Sequence, residues 1–367
     1  MEVVLLFRIA YMDNYIKTAF LGIKGDFNEN SGAGIQRYTT ELIKHLSKNR
    51  VNIDKLEYKN LFDYSLNTTF KNFKNYDIIH NTGIKLTMPL RKEKAKFIVT
   101  IHDIISVTEP TLYNERYIPK LSFFNLLKKN MLLKYSAIAI RSSIFASDYI
   151  ITDANMVKKE LIQLGYPKEQ LFVVNLGVDK RFIESPIPTK RNKAFTIGYL
   201  GSFFRKKNVK FAIDAFKIFK SYDGASNSLL EIWGSKKSPE YNYLHSLTGN
   251  DKQILFKGFA PEDRLIEIYD RFDIAIFPIL YAGFELEILE AQARGIPVII
   301  YKNSKIPDEV KKYCFKAKDP MHASDIITHI KANGYEEKVK RKAIRYARSF
   351  TWEKCARETL KVYNSVI

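Results

Sequence analysis

The sequence predicts an α/β protein made of two doubly wound halves, each a parallel sheet covered by helices. Three features carry that prediction. The chain has 367 residues, more than one ordinary core needs and about right for two. Short apolar runs alternate with segments whose apolar residues recur at helical spacing, the pattern of strand, crossover helix and parallel strand. Between Asn175 and Arg191 the alternation stops, and Gly177, Pro186 and Pro188 mark a connection between the halves.

In the first half, Val3 to Ile9, Tyr76 to His80, Phe97 to His102 and Tyr149 to Thr152 read as strands, and Gln36 to Leu46 and Met156 to Leu164 as helices. The second half opens with a strand from Phe195 to Leu200, ended by Gly201, and a helix from about Val209 to Phe219. Strands follow at Leu229 to Trp233, Ile254 to Phe256, Ile274 to Phe277 and Val298 to Tyr301, with a helix at Glu285 to Arg294 before the last. Ligands of such sheets bind beyond the carboxyl ends of the strands, so the strand-to-helix turns are the places to search.

Composition narrows the function classes. Hydrophobic residues make up 46% of the chain and no low-complexity tract occurs, which excludes wholesale disorder. The longest apolar stretches, such as Ile274 to Leu280, fall short of the roughly 20 residues that a spanning helix needs. Met1 to Ala10 carries charges and no cleavage pattern, so a cytoplasmic protein is expected. Cys314 and Cys355 stand far apart with no partner cluster, which argues against a disulfide framework and against a zinc site. The net charge of +19 fits nucleic acid, an anionic membrane surface or phosphorylated small molecules. No zinc-finger spacing or RNP pattern accompanies it, so no specific nucleic-acid partner is expected.

Two turns of the second half have the chemistry of an anion site. Phe277 to Phe284 leads into the helix that carries Glu285, Glu287 and Glu290. Gly283 and Phe284 would let the backbone approach a diphosphate at the positive end of that helix. Glu290 would reach back to accept hydrogen bonds from ribose hydroxyls. The alternative makes the three glutamates solvated or dipole-complementing charges. The second turn, Gly201 to Asn208, contains Arg205, Lys206 and Lys207, consecutive cations that can stabilise the phosphates of a leaving nucleotide. In the first half, Ser31 to Tyr38 is a small-residue turn opening a helix, with Gly34 placed for close contact to a phosphate or sugar. His102 ends an apolar strand, where it either faces the cleft and the reacting centre or serves the fold; His80 carries the same ambiguity.

Taken in order, these segments resemble the family 4 retaining glycosyltransferases, the group 1 glycosyl transferases of GT-B fold. The first-half landmarks are Arg37-Tyr38-Thr39, His102-Asp103, Ser147 to Thr152 and Val174 to Asp179. Tyr199-Leu200-Gly201 with Lys207-Asn208, Phe256 to Phe259, Leu289 to Val298 and Phe350-Thr351-Trp352 continue the match. The resemblance implies two Rossmann-like domains facing each other across a cleft: residues 1–190 on the acceptor side, residues 191–349 on the donor side, and a helix over 350–367 that crosses back. It implies that Lys207 contacts the donor diphosphate, Glu290 the ribose, Gly34 the phosphate or sugar region and His102 the transferred sugar. It also implies retention of configuration, independence from metal, and no cofactor beyond a nucleoside diphosphate sugar as donor substrate.

Three departures stand out. Counting eight positions back from Glu290, where the family has a first glutamate, gives Ala282. Glu285 and Glu287 occupy positions where the family commonly has Gly and Pro, and Ser202 stands in place of an Arg. Arg205 or Lys206 is expected to supply the missing cation, and Glu285 to replace the missing carboxylate at the sugar.

On the acceptor side, residues 111–145 hold six Lys or Arg against one acid, interleaved with apolar residues. Peripheral contact with an anionic membrane and a core-packed helix with a solvated face both fit. The expected function is transfer of a hexose-like sugar from a nucleoside diphosphate sugar to a hydroxyl acceptor of unknown identity. A nucleotide-sugar epimerase of the same architecture and a catalytically silent sugar-nucleotide or polyanion binder are the rivals.

Overall fold

The computed structural model describes residues 15–28, 34–83, 85–110, 112, 123–188, 194–223 and 227–367. The strand expected at Val3 to Ile9, the Ser31 to Ala33 part of the small-residue turn and the boundary at 190/191 lie outside the described residues.

The first half runs β1 (Ile16–Ile23), α1 (Gly34–Leu46), β2 (Val51–Tyr58), α2 (Leu61–Phe70), β3 (Ile78–Asn81), β4 (Lys96–Ile101), α3 (Ile105–Thr108), α4 (Phe123–Ala146), β5 (Tyr149–Thr152), α5 (Asn155–Gln163) and β6 (Leu171–Val173). Its six described strands are all parallel, in the order β2-β1-β3-β4-β5-β6. One face is covered by α1, whose buried Tyr38, Leu42, Ile43 and Leu46 recur at helical spacing. The other face is covered by α2, α4 and α5, which send Tyr64, Ile140, Ile144, Val157 and Leu161 into a second core.

After α6 (Lys180–Glu184) the second half repeats the plan. It comprises β7 (Phe195–Leu200), α7 (Val209–Asp223), β8 (Ser228–Trp233), α8 (Tyr241–Ser246), β9 (Ile254–Gly258), α9 (Leu265–Asp270), β10 (Ile274–Phe277), α10 (Leu286–Ala293), β11 (Val298–Tyr301), α11 (Asp308–Lys311), β12 (Phe315–Ala317), α12 (Pro320–Asn333) and α13 (Glu337–Ala347). The sheet is again fully parallel, in the order β12-β11-β10-β7-β8-β9. Strand order therefore reverses between β7 and β10, and the crevice beyond their carboxyl ends is where such a sheet takes a ligand.

The final helix, α14 (Trp352–Val366), is capped by Thr351, whose side chain accepts from the Lys354 amide at 3.1 Å. It buries Trp352, Cys355, Val362 and Tyr363 with α1 residues in the core of the first half. The chain thus passes between the halves twice, and the passages touch: the Val178 amide donates to the Phe350 carbonyl at 2.9 Å. A Cβ on Gly177 would lie 2.2 Å from the Trp352 backbone nitrogen, so glycine alone permits this approach.

The structure corrects several boundaries. The first described strand is Ile16–Ile23, and β2, α2, β6 and β12 were not anticipated. The edge strand β2, VNIDKLEY, alternates charged with apolar residues and buries only Val51 fully, which weakens its apolar signal.

Candidate active site

The loops after β7 and β10 meet at the reversal point. The Leu280 amide donates to the Lys206 carbonyl at 2.7 Å, tying one loop to the other. Together with the ends of β4 and β5 and the start of α1 they enclose a cleft of about 540 Å³ between the halves.

From the second half come Gly201, Lys207, Gly283, Phe284, Glu285, Glu287 and Glu290. Lys207 ends a single 3-10 turn, Arg205–Lys207, closed by Asn208 at φ 54, a left-handed position that asparagine tolerates. Its ammonium lies 2.5 Å from Glu285 Oε2, and neither side chain is more than 12% exposed. Burial works against the Lys207 charge, but Glu285 and Glu287 more than offset it and raise its pKa. Glu285 directly precedes α10 in an extended conformation, φ −94 and ψ 96, and its side chain makes no capping hydrogen bond. Its carboxylate is therefore turned to Lys207, where the sequence placed it on the donor sugar.

Glu287 also lines the cleft. Burial first, and the neighbouring Glu285 charge second, push its carboxyl up to about 7. Glu290, fully buried, is not free at the cleft wall: Arg37 Nη1 donates to its Oε1 at 2.7 Å and the Tyr269 hydroxyl to its Oε2 at 2.9 Å. Ala282 is buried with the apolar core of the second half, so no carboxylate occupies that position. Arg205 sits in the turn beside Lys207 but is not among the residues lining the cleft, and Lys206 reaches Asp103 at 3.5 Å.

The first half contributes Gly34, Arg37, His102, Asp103 and Asp153. Gly34 begins α1, and a Cβ there would meet nothing within 4 Å. Its absent side chain leaves room at the helix N-terminus. His102 follows β4 and has both ring nitrogens engaged, Nδ1 with Asp153 Oδ2 at 2.6 Å and Nε2 with the Thr82 carbonyl at 3.1 Å. A carbonyl only accepts, so Nε2 carries a proton. Burial opposes the charge, but Asp153 and the Thr82 carbonyl outweigh it and raise the His102 pKa. His80 is different: fully buried between Tyr363 and Thr100, it is pushed down to about 3 by desolvation and by the His102 charge. It serves the fold in its neutral form.

Gly283 acquires a partner that the sequence did not reveal. A Cβ there would lie 2.0 Å from the His102 carbonyl oxygen, so the turn after β10 presses against the end of β4 across the halves. Phe284, beside it, packs against both cores and against Phe350 at 5.9 Å. The sequence singled out the segment of Arg37 but gave that residue no role at the site, and it missed Asp153 and Tyr269. A carboxylate ending the strand next to that of His102 was the available signal for Asp153. Among the described residues, the carboxylates of Asp103, Asp153, Glu262, Glu285, Glu287 and Glu290 line the cleft with Arg37, Lys207 and His102. The cleft is thus rich in acid although the chain carries +19.

Residues 52–182 match the family model described as Glycosyltransferase Family 4, and residues 180–350 match that of Glycosyl transferases group 1. The chain belongs to the group 1, family 4 glycosyltransferases. It is 24% identical over 309 residues to the O-antigen chain mannosyltransferase B of Escherichia coli, covering 80% of this chain and 75% of that protein. Among solved structures, a glycosyltransferase from Rickettsia africae superposes with a TM-score of 0.67 at 17% identity, covering 96% of this chain and 99% of the other. HepE of Anabaena, solved in complex with UDP and glucose, superposes with a TM-score of 0.66 at 14% identity, covering 95% and 100%. These likenesses establish the GT-B fold for this glycosyltransferase, with its cleft between two Rossmann-like halves.

Proposed function

We propose that this glycosyltransferase moves a hexose-like sugar from a nucleoside diphosphate sugar to a hydroxyl acceptor, with retention of configuration and without a catalytic metal. The observation that supports it most is the convergence of Lys207 and the N-terminal amides of α10 on the crevice between β7 and β10. A diphosphate placed there meets a cation and the positive end of a helix, the two groups that stabilise a departing phosphate. Glu290 would take the ribose by exchanging part of its hold on Arg37. His102, fixed by Asp153 and with its pKa raised, would stand on the sugar side. Retention is an inference from family membership, and the metal-free reading rests on Lys207 with the α10 amides; HepE with bound UDP and glucose supports the donor class.

Incubating the protein with a panel of UDP- and GDP-sugars and a pool of hydroxyl acceptors, with and without EDTA, tests the reading. Acceptor-dependent release of nucleoside diphosphate, unaffected by EDTA and with the donor's anomeric configuration kept in the product by NMR, is expected. Loss of turnover in EDTA would remove the metal-free part, and an inverted product the retaining part. Product without any acceptor would point to an epimerase.

Two observations favour a second reading. Lys207 is already neutralised by Glu285 and position 282 offers no carboxylate, which suits a chain that binds a sugar nucleotide without turning it over. Calorimetric binding of UDP or GDP combined with no product from any donor would select it.

A further inference from the structure

Two helices on one face of the first half leave apolar stripes uncovered. In α2, Phe62, Leu66 and Phe70 recur every four residues and are exposed, Phe62 by 78%. In α4, Met131, Ile138 and Phe145 recur every seven residues, two helical turns apart, and Phe145 is 87% exposed. These spacings put each set on a single side of its helix. The opposite sides, through Tyr64, Ile140 and Ile144, enter one core, so both helices lie on the same side of the sheet.

The segment between them closes the gap. The Ser65 hydroxyl donates to the Leu86 carbonyl at 3.0 Å and the Leu90 amide to the Thr69 carbonyl at 3.0 Å, which ties the segment to α2. On its other side the Ser143 hydroxyl of α4 donates to the Lys85 carbonyl at 2.9 Å. Leu90, itself 66% exposed, extends the apolar surface between the helices.

Charge follows the same surface. Among the described side chains of residues 61–94 and 123–146, Lys74, Arg91, Lys94, Lys134 and Arg141 are exposed, against Glu93 as the exposed acid. Within the α4 stripe the exposed Lys134 and Arg141 alternate with Met131, Ile138 and Phe145. We propose that this face docks on an anionic lipid bilayer, its apolar stripes entering the acyl boundary while the cations meet the headgroup phosphates. Pairing with a second copy would set this cationic face against itself, which opposes that occupant. The contact is peripheral: among the described residues no helix is long and apolar enough to cross a membrane.

A short stretch of chain links this surface to the cleft. Thr82, whose carbonyl holds His102, precedes Leu90 by eight residues, a chain span of about 27 Å at most. An acceptor carried by the bilayer is thereby brought near the reacting groups. The docking surface itself stands whether or not the transfer reading holds.

Flotation with vesicles of phosphatidylcholine alone, and of phosphatidylcholine with an equal amount of phosphatidylglycerol, tests it. Binding to the anionic vesicles only, weakening with added salt, is expected. Phe62→Ser with Phe145→Ser lowers the partition coefficient by about tenfold or more. Lys134→Gln with Arg141→Gln lowers it about thirtyfold, at roughly fivefold per cation near the surface. The charge pair carries the test should the serine variant melt early. Undiminished binding by the charge variant, no binding of the native chain to anionic vesicles, or equal binding to both kinds of vesicle overturns the proposal. A native dimer that the serine variant converts to a monomer, with no vesicle binding by either, assigns the face to a second copy instead.

Discussion

Lys207 and Glu285 neutralise each other at 2.5 Å in the cleft, on the very cation that faces the expected diphosphate. An incoming diphosphate therefore competes with a resident carboxylate. Glu285→Gln is expected to tighten UDP or GDP binding by about 1.5 kcal/mol or more, since a charge pair at this separation is worth about that much even when screened as in water. Isothermal calorimetry reads the change directly, and a weaker complex would instead mean that Glu285 helps to hold the ligand.

Removing the cation is expected to act on both binding and fold. Lys207→Ala weakens free nucleoside diphosphate and the sugar nucleotide alike, by about 1.5 to 3 kcal/mol. It also leaves Glu285 buried without its partner, so the melting temperature falls. Adding Glu285→Gln to Lys207→Ala restores stability but not affinity. If affinity is already normal in the single variant, Lys207 is no part of the donor site.

Arg37 and Glu290 join residues 253 positions apart in sequence and on opposite halves. Burial works against the Arg37 charge, and Glu290, Glu262 and Asp179 hold it in place. Arg37→Met leaves Glu290 without its cation and is expected to cost about 3 kcal/mol in urea unfolding. A cost below about 1 kcal/mol would show that water reaches the pair.

Stability should also depend on pH through Glu287. Its carboxyl titrates at about 7 in the folded chain, against 4.5 as the ordinary value. Between those values the folded state holds a proton that the unfolded state has lost, so stability falls as pH rises through that window. His102, whose pKa is also raised, acts with the same sign: its stabilisation is present below 6.5 and is lost as pH rises through the higher folded value. Glu287→Gln removes the first contribution only, so its melting temperature should decline less between pH 5 and 7 than that of the native chain. Identical profiles would show that Glu287 is ionised and solvated.

The second sheet was largely legible in the sequence because strands such as Ile274–Phe277 and Val298–Tyr301 are buried on both faces and read as unbroken apolar runs. β2 was not, since an edge strand exposes charged side chains, nor was β1, where Lys17, Thr18 and Gly22 interrupt the run. The turns carrying Lys207 and Gly283 were found from residue type and position. What each residue touches was hidden: Arg37 against Glu290 and the His102 carbonyl against Gly283 come from the other half, and no local pattern encodes a contact across a cleft. Asp153 lies in the same half as His102 and was missed for another reason: only the pairing of β4 with β5 sets the two side by side.

The double passage between the halves, at Gly177–Val178 and at Phe350–Trp352, restricts how this molecule can open. Two covalent segments bonded side by side act as a spine, and rotation about it is the inexpensive relative movement. Sliding one half past the other would have to break the Val178 to Phe350 hydrogen bond and drag α14 from its seat beside α1. Opening and closing around the spine would lift Gly283 from the His102 carbonyl and part Arg37 from Glu290 in one stroke. Admission of substrate and integrity of the ion pair are thereby made the same event, governed from residues that never meet the sugar.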